Sequence, residues 1–132
     1  MFVLDASAAV LLLTDDGVLG QRVEQRVRGE QLCAPELIDL EVTSALRRFV
    51  LTGALTPQRG RAALSDLVVL PVRRAPHRTL LERCWELRDS VTVYDAAHVA
   101  LAEALTTYPA DADARLAWAP GLHCDVEVVG PP

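Results

Sequence analysis

Four acidic residues, Asp5, Glu41, Asp95 and Asp113, stand where surface charge alone does not readily explain them. Asp5 follows a fully apolar run and precedes a stretch of small residues. Glu41 shares one predicted helix face with apolar residues at i−4, i−3 and i+4. Asp95 and Asp113 lie near the starts of predicted helices. Because a carboxylate on a buried face is costly unless it is paired or bound to metal, these four are the first candidates for a functional site.

Each candidate also has an ordinary structural explanation. The three aspartates suit the N-cap or first turn of a helix, where a carboxylate accepts backbone N–H groups and interacts favourably with the helix dipole. Glu41 would form an ion pair with Arg47, Arg48 or a more distant arginine. The sequence leaves these alternatives open for each residue taken alone.

Taken together, the four acids form a set of oxygen ligands in one chain. Oxygen donors favour hard cations such as Mg²⁺, with Mn²⁺ as an alternative. Clustered carboxylates repel one another unless a cation neutralises them, so such a site depends on metal. Its natural chemistry is phosphoryl transfer, in which the metal orients the phosphate, activates water and stabilises the leaving oxygen.

Apolar runs alternate with helical patterns and predict the elements that must position these acids. We predict strands over Phe2–Leu4, Gln31–Ala34, Val68–Val72 and Val126–Val129. We predict helices over Ala6–Leu13, Gly17–Arg28, Pro35–Leu51, Thr56–Asp66, Pro76–Asp89, Thr92–Leu105 and Asp113–Trp118. This alternation predicts an α/β fold with a mostly parallel sheet covered by helices. Ligands of such sheets bind beyond the carboxyl ends of strands, where Asp5 is expected.

Composition excludes several classes of protein. The 132 residues are 51% hydrophobic and 23% charged, which predicts a single globular domain over residues 1–132. All 13 basic residues are arginine. The absence of lysine excludes Schiff-base enzymes, Walker-type phosphate loops and receiver domains. The three dispersed cysteines favour neither structural zinc nor a disulfide framework. The net charge of −5 argues against gripping nucleic acid by bulk positive charge, but not through bound metal ions.

Further classes lack their signature residues. A phosphatase of the haloacid dehalogenase type needs a second Asp where Ser7 stands, and no G-x-G-x-x-G of a dinucleotide binder follows the first strand. No apolar stretch reaches the ~18 residues of a membrane span, and no basic segment precedes the first one. We therefore expect a cytoplasmic protein with no membrane partner.

Four segments, in order and at matching intervals, resemble the motifs of the PIN-domain family: Val3–Ala8, Glu41–Arg48, Thr92–Glu103 and Asp111–Leu116. The resemblance is closest to the toxin ribonucleases of VapBC type II toxin–antitoxin modules and covers essentially the whole chain. It implies a PIN-domain-like three-layer α/β/α sandwich with a central, mostly parallel sheet of about five strands. It also implies a Mg²⁺-dependent endoribonuclease that hydrolyses RNA phosphodiester bonds with metal-activated water and is inhibited by a cognate VapB-type antitoxin.

The resemblance assigns Asp5, Glu41, Asp95 and Asp113 to the family's four acidic catalytic and metal-binding positions. Asp5 and Asp95 would bind metal directly, and the other two directly or through metal-bound water. Ser7 matches a small polar position beside the site, where it would hydrogen-bond a ligand carboxylate or the phosphate. A hydroxyl in the first turn of a helix is the equally ordinary explanation of Ser7.

Two features depart from the family pattern. The family usually has a buried apolar strand and a Thr before the fourth acid, but this chain has Tyr108–Asp111 there. Pro109 weakens a central strand, and Asp111 adds a fifth carboxylate, so either Asp111 or Asp113 is the fourth acid. His98 stands where the family often has an aromatic residue. It would contact RNA, shuttle protons or serve only as a structural residue.

The resemblance also implies partners: an RNA substrate, the antitoxin and a second copy of the chain, assembling as a homodimer and, with antitoxin, as a heterotetramer or larger complex. Three local arginine groups could receive RNA phosphates or acidic antitoxin side chains, although solvated helix faces explain them as well: Arg47–Arg48, Arg59–Arg61 and Arg73–Arg74. The main rival is a catalytically weak PIN-fold protein acting mainly as an antitoxin- or RNA-binding module. A DNA-cutting nuclease is a further alternative, and the sequence does not specify the RNA target.

Overall fold

The computed structural model describes residues 1–107 and 127–129. Along the chain the elements are β1 (Phe2–Leu4), α1 (Ala6–Thr14), α2 (Val18–Val27), β2 (Leu32–Pro35), α3 (Ile38–Leu51), α4 (Pro57–Val69), β3 (Val72–Ala75), a short 3-10 helix (His77–Leu80), α5 (Leu81–Glu86), α6 (Val93–Thr107) and β4 (Glu127–Val129). The predicted helix Asp113–Trp118 and the Tyr108–Asp111 run lie outside the described residues. No helix in the described part is long and apolar enough to cross a membrane.

The four described strands form one sheet in the order β3-β2-β1-β4, and every neighbouring pair is parallel. Four of the expected five or so strands are thus described. Parallel pairing brings the carboxyl ends of β1 and β2 to the same edge of the sheet. Asp5 follows β1 directly and therefore stands at that edge.

Helices cover both faces of the sheet. Strand side chains alternate between faces, so Leu4 and Leu32 pack with α1 to α4, whereas Val3 and Cys33 pack with α5 and α6. All four of these side chains are buried. Burial on both faces explains why the first strand reads as a continuous apolar run. The predicted three-layer α/β/α sandwich with a parallel sheet is confirmed.

The prediction of a strand over Val68–Val72 is wrong. Helix α4 continues to Val69, and β3 begins only at Val72. The consecutive valines favour a strand locally, but Ala63 and Leu67 are buried at helical spacing and keep the segment helical. Val68 and Val69 are left exposed at the end of the helix.

Two other predicted boundaries also differ. Pro35 is the buried last residue of β2, paired with Ala75, and not the first turn of α3. The next residue, Glu36, donates its N–H to the Ala75 carbonyl (2.8 Å), so the ladder extends past the proline. The predicted helix Pro76–Asp89 is divided into the 3-10 helix and the short α5.

The predicted end of α3 and the predicted start of α4 are confirmed, and turn chemistry explains both. Gly53 follows α3 with a φ of +79°, a left-handed conformation that glycine adopts without strain. Thr56 caps α4 by accepting the Arg59 N–H (3.1 Å), and Pro57 occupies the first helical position.

Arg74 joins α3, α4 and β3. Its guanidinium contacts the Asp39 carboxylate on α3 (2.9 Å) and donates to the carbonyls of Leu67, Leu70 and Val72 (2.8–2.9 Å). Two of these carbonyls, Leu67 in the last turn of α4 and Leu70 at its C-cap, also accept the N–H groups of Leu70 and Val72, so Arg74 adds a second donor at the end of the helix. Arg74 is therefore a structural residue, and the idea that it receives phosphates is wrong.

We expect Arg74→Ala to lower the free energy of unfolding by about 1.5–3 kcal/mol, because the half-buried Asp39 carboxylate loses its charged hydrogen-bond donor. Urea unfolding followed by circular dichroism measures the change. Arg73→Ala is the matched control, since the neighbouring Arg73 is exposed, and we expect a change of less than about 0.5 kcal/mol. Equal losses in the two variants would contradict the role of Arg74.

Candidate metal centre at the carboxyl edge of the sheet

Asp5 links the end of β1 to the start of α1. It is the N-cap of α1, and its Oδ2 accepts the Ser7 N–H (3.3 Å) and the Ser7 hydroxyl. The capping explanation is therefore correct, but both contacts use the same carboxylate oxygen. Within the described part of the chain, Oδ1 is left for another ligand. Ser7 acts on the site by holding this carboxylate in place.

Glu41 lies in the first turns of α3, between the buried residues Ile38 and Val42. Its side chain is 27% exposed, and Oε1 is buried with no hydrogen-bond partner among the described residues. The predicted arginine ion pair is not formed there. Instead, Oε1 lies 3.8 Å from Nε2 of His98.

The electrostatic surroundings of Glu41 include two other predicted acids. Burial raises the pKa of the Glu41 carboxyl, His98 lowers it, and the nearby charges of Asp5 and Asp95 raise it further. Asp5 and Asp95 therefore both lie near Glu41 at the edge of the sheet. The fourth, whether Asp111 or Asp113, lies outside the described residues.

Asp95 stands in the first turn of α6 but does not cap the helix. The Thr92 hydroxyl accepts the Asp95 N–H (3.2 Å) and so supplies the N-terminal hydrogen bond. The Asp95 side chain is exposed and lines the same groove as Glu41. Since Thr92 already satisfies the backbone, the Asp95 carboxylate is free to bind a ligand.

His98 is the one buried polar or charged side chain in the described part of the chain, with 4% exposure. It lies three residues after Asp95 and therefore shares its helix face. Nδ1 lies 3.2 Å from the Tyr94 carbonyl oxygen. A carbonyl can only accept, so Nδ1 carries the proton. The structural explanation of His98 is thus partly correct, but the ring also faces Glu41 in the site.

A groove of about 940 Å³ opens beside these acids. Ser7, Ser44 and Arg48 contribute polar groups to its lining, next to Glu41 and Asp95. Apolar side chains complete the lining: Val10, Leu11, Leu19, Leu40, Phe49 and Tyr94. A smaller cavity of about 530 Å³ lies near the amino ends of the strands. It is therefore at the opposite edge of the sheet from Asp5, which follows the carboxyl end of β1. The groove at the carboxyl edge is the one that combines space with candidate ligands.

The donor set fits a hard divalent cation, but it is incomplete. Carboxylate oxygens suit Mg²⁺ and Mn²⁺, and Oε1 of Glu41, which has no hydrogen-bond partner among the described residues, marks a place where positive charge would be stabilised. Within residues 1–107 and 127–129, no three His, Cys, Asp or Glu side chains converge closely enough to enclose a metal ion. The described side chains alone therefore do not make a complete metal site.

Comparison with known proteins defines the class. The PIN domain family matches residues 2–107, a range that contains β1 to α6 and three of the predicted acids. The parallel α/β/α sandwich of this chain, with acidic residues at the carboxyl edge of its sheet, is therefore a PIN domain. The prediction that one PIN domain fills residues 1–132 extends past this match and stays a prediction.

The similar curated proteins narrow the family. Ribonuclease VapC1 of Mycobacterium tuberculosis is 42% identical over 128 residues, covering 96% of this chain and 96% of that protein. Ribonucleases VapC9 and VapC12 of the same organism are each 41% identical and cover 98% of this chain, and 98% and 99% of their own length. The chain belongs to the VapC family of PIN-domain proteins.

Sequence reasoning missed two features of the site. It left a capping role open for Asp95 beside the metal-binding one, although Thr92 three residues earlier is a standard N-cap residue. It also missed that His98 faces Glu41, because no sequence pattern places α3 against α6. The spacing of Asp95 and His98 was the available signal, since residues three apart share a helix face.

We expect Glu41→Gln to stabilise the metal-free protein at neutral pH. The folded-state pKa of Glu41 is raised, so the folded state keeps this proton to higher pH than the unfolded chain. The free energy of unfolding therefore falls as pH rises from the ordinary glutamate value through the raised one. With EDTA present, the variant should be more stable than the wild type at pH 7, and this difference should shrink at pH 4.

Urea unfolding at both pH values measures this effect, with Glu82→Gln as the matched control on the exposed face of α5. We expect the control to follow the wild type at both pH values. A Glu41→Gln variant that is less stable than the wild type at pH 7 would contradict the repulsion described above.

Proposed function

We propose that this protein is the toxin of a type II toxin–antitoxin system and a Mg²⁺-dependent endoribonuclease. The single observation that carries the proposal is the buried Oε1 of Glu41, which has no hydrogen-bond partner among the described residues and lies near the charges of Asp5 and Asp95. A bound cation relieves this repulsion, and RNA hydrolysis is the activity named in the similar VapC proteins.

In this proposal Asp5 and Asp95 bind Mg²⁺ directly, and Glu41 binds it directly or through water. Asp113 or Asp111 completes the site. When bound, the ion supplies the means to orient the scissile phosphate, activate water and stabilise the leaving oxygen. Ser7 keeps the Asp5 carboxylate in position through its hydroxyl. Mn²⁺ is the alternative ion, since it accepts the same oxygen donors.

The groove beside the acids supports an RNA substrate. Arg48 lies in its lining and supplies a cation for a phosphate, whereas the acids would repel RNA without metal. With a net charge of −5, overall attraction cannot bring RNA to the protein. Binding therefore depends on the metal and on local arginines, and we expect it to be weak in EDTA.

The apolar part of the same groove supports a protein partner. Leu40 and Tyr94 are 76% and 66% exposed and lie beside the site. We propose that a cognate VapB-type antitoxin covers them and so blocks access to the acids. We further propose a homodimer that joins the antitoxin in a heterotetramer or larger complex. Light scattering of the free and antitoxin-bound protein measures both states.

The rival proposal is a catalytically weak PIN-fold protein that binds antitoxin or RNA. Its support is the unusual Tyr108–Asp111 segment, which lies outside the described residues. The two proposals differ in one measurable property, namely cleavage of RNA that depends on metal and on Asp95.

We expect Asp95→Asn to reduce the rate of RNA cleavage by about 100-fold or more, because a metal ligand is lost while Thr92 still caps the helix. Purified, antitoxin-free protein is incubated with total cellular RNA in Mg²⁺ or in EDTA, and with single-stranded DNA in parallel. Asp66→Asn is the matched control, since Asp66 is exposed on α4, and it should keep full activity.

Folded wild-type protein that cleaves none of several RNA pools in Mg²⁺ would refute the nuclease and favour the binding module. Cleavage of DNA alone would point to a DNA nuclease instead.

A further inference from the structure

Two aromatic side chains in the described part of the chain, Trp85 and Tyr94, are equally exposed, each at 66%. They differ in what covers their rings. The Arg88 guanidinium lies 4.9 Å from the centre of the Trp85 ring, so a cation already covers one face of that ring. Among the described residues, no cation or second aromatic ring contacts the Tyr94 ring. Tyr94 also lines the groove beside the acids, whereas Trp85 does not.

The backbone of Tyr94 is anchored to the interior of the protein. Its carbonyl oxygen accepts the Nδ1–H of His98 (3.2 Å), and the His98 ring is buried. The Tyr94 ring is therefore exposed while the backbone that carries it is held in place, directly before Asp95. A tyrosine has few rotatable bonds, so a ring on a fixed backbone loses little conformational freedom when a ligand binds against it.

The groove offers three kinds of contact to a single nucleic-acid strand. In the proposed function, the acids hold the scissile phosphate through the cation. Arg48 lies about two helical turns after Glu41, about 10 Å along the axis of α3, and lines the same groove. It forms no ion pair among the described residues, so it suits a neighbouring phosphate of the strand. The open face of Tyr94, next to Asp95, suits a base close to the scissile phosphate.

We infer that Tyr94 is a substrate-binding residue that stacks on a base of unpaired RNA beside the scissile phosphate. The inference rests on the proposed RNA-cleaving function. Stacking needs a base with a free face, so an unpaired segment can use Tyr94, whereas a base inside a duplex cannot. Every base has such a face, so this contact alone selects no sequence. The proposed antitoxin, by covering Tyr94, would exclude the base as well as the phosphate.

The test is binding of a fluorescein-labelled RNA of about 12 nucleotides to the antitoxin-free protein in Mg²⁺. Fluorescence anisotropy gives the dissociation constant for the single strand and for the same strand paired with its complement. We expect Tyr94→Leu, which removes the ring but keeps an apolar side chain, to weaken binding of the single strand by about 10-fold or more and to leave duplex binding unchanged. Tyr94→Phe, which keeps the ring, and the equally exposed control Trp85→Leu should bind both RNAs like the wild type.

A fluorescent base provides a second readout, which a merely structural role of Tyr94 would not change. The base 2-aminopurine loses fluorescence when it stacks on an aromatic ring, and it replaces each base of the single strand in turn. We expect quenching at one or more positions by the wild type, by Tyr94→Phe and by Trp85→Leu, but not by Tyr94→Leu. Short incubation on ice keeps the RNA uncut, and gel electrophoresis after each titration checks this.

The outcomes separate this inference from the proposed function. If the wild type cleaves RNA but Tyr94→Leu binds the single strand equally well, the inference is wrong and the nuclease stands. Loss of antitoxin binding in Tyr94→Leu with unchanged RNA binding would also overturn the inference and assign the ring to the protein interface alone. Quenching that requires Tyr94 in a protein that cleaves no RNA would support stacking and refute the nuclease. If the folded wild type binds neither RNA in Mg²⁺, both are wrong.

Discussion

The central constraint in this protein is the position of the Glu41 carboxylate. It lies partly out of water on a helix face that packs into the core, and it faces two further carboxylates, Asp5 and Asp95. Negative charge in such a place destabilises the metal-free fold. A cation or a proton at this place would relieve that cost. The metal dependence that we propose is therefore a consequence of how the helices pack, as well as of which residues are present.

Each acid reaches the site by a different backbone device. Asp5 is placed by the end of a buried strand and by its own N-cap hydrogen bonds. Glu41 is placed by the packing of α3 against the sheet, and Asp95 by a helix that Thr92 caps. Because separate elements carry the three acids, their convergence depends on the whole sandwich. Arg74 contributes from a distance, since it ties α3 to α4 and β3.

The sequence predicted the structure best where the local conformation depends on a few neighbouring residues. The first strand and the boundary between α3 and α4 were predicted and confirmed, because apolar runs and the turn chemistry of Gly53 and Thr56 act within a few residues. The predicted strand beginning at Val68 was wrong, because the helical packing of the residues before it outweighs the strand propensity of the valines. The placement of Pro35 in the first turn of α3 was also wrong, because proline suits a strand end as well as a helix start.

The candidate acids were predicted from their positions in the sequence and from the family resemblance. How their side chains lie relative to one another was not predicted. No pattern within α6 shows that His98 faces Glu41, since that contact depends on how two distant helices meet. We propose that these elements bring the acids to one cation. The most direct measurement is a crystal structure of the antitoxin-free protein soaked in Mn²⁺, with anomalous scattering used to locate the ion. We expect an anomalous peak within bonding distance of Glu41 and Asp5. A fully soaked crystal with no peak there, or with Mn²⁺ bound only elsewhere, would contradict it.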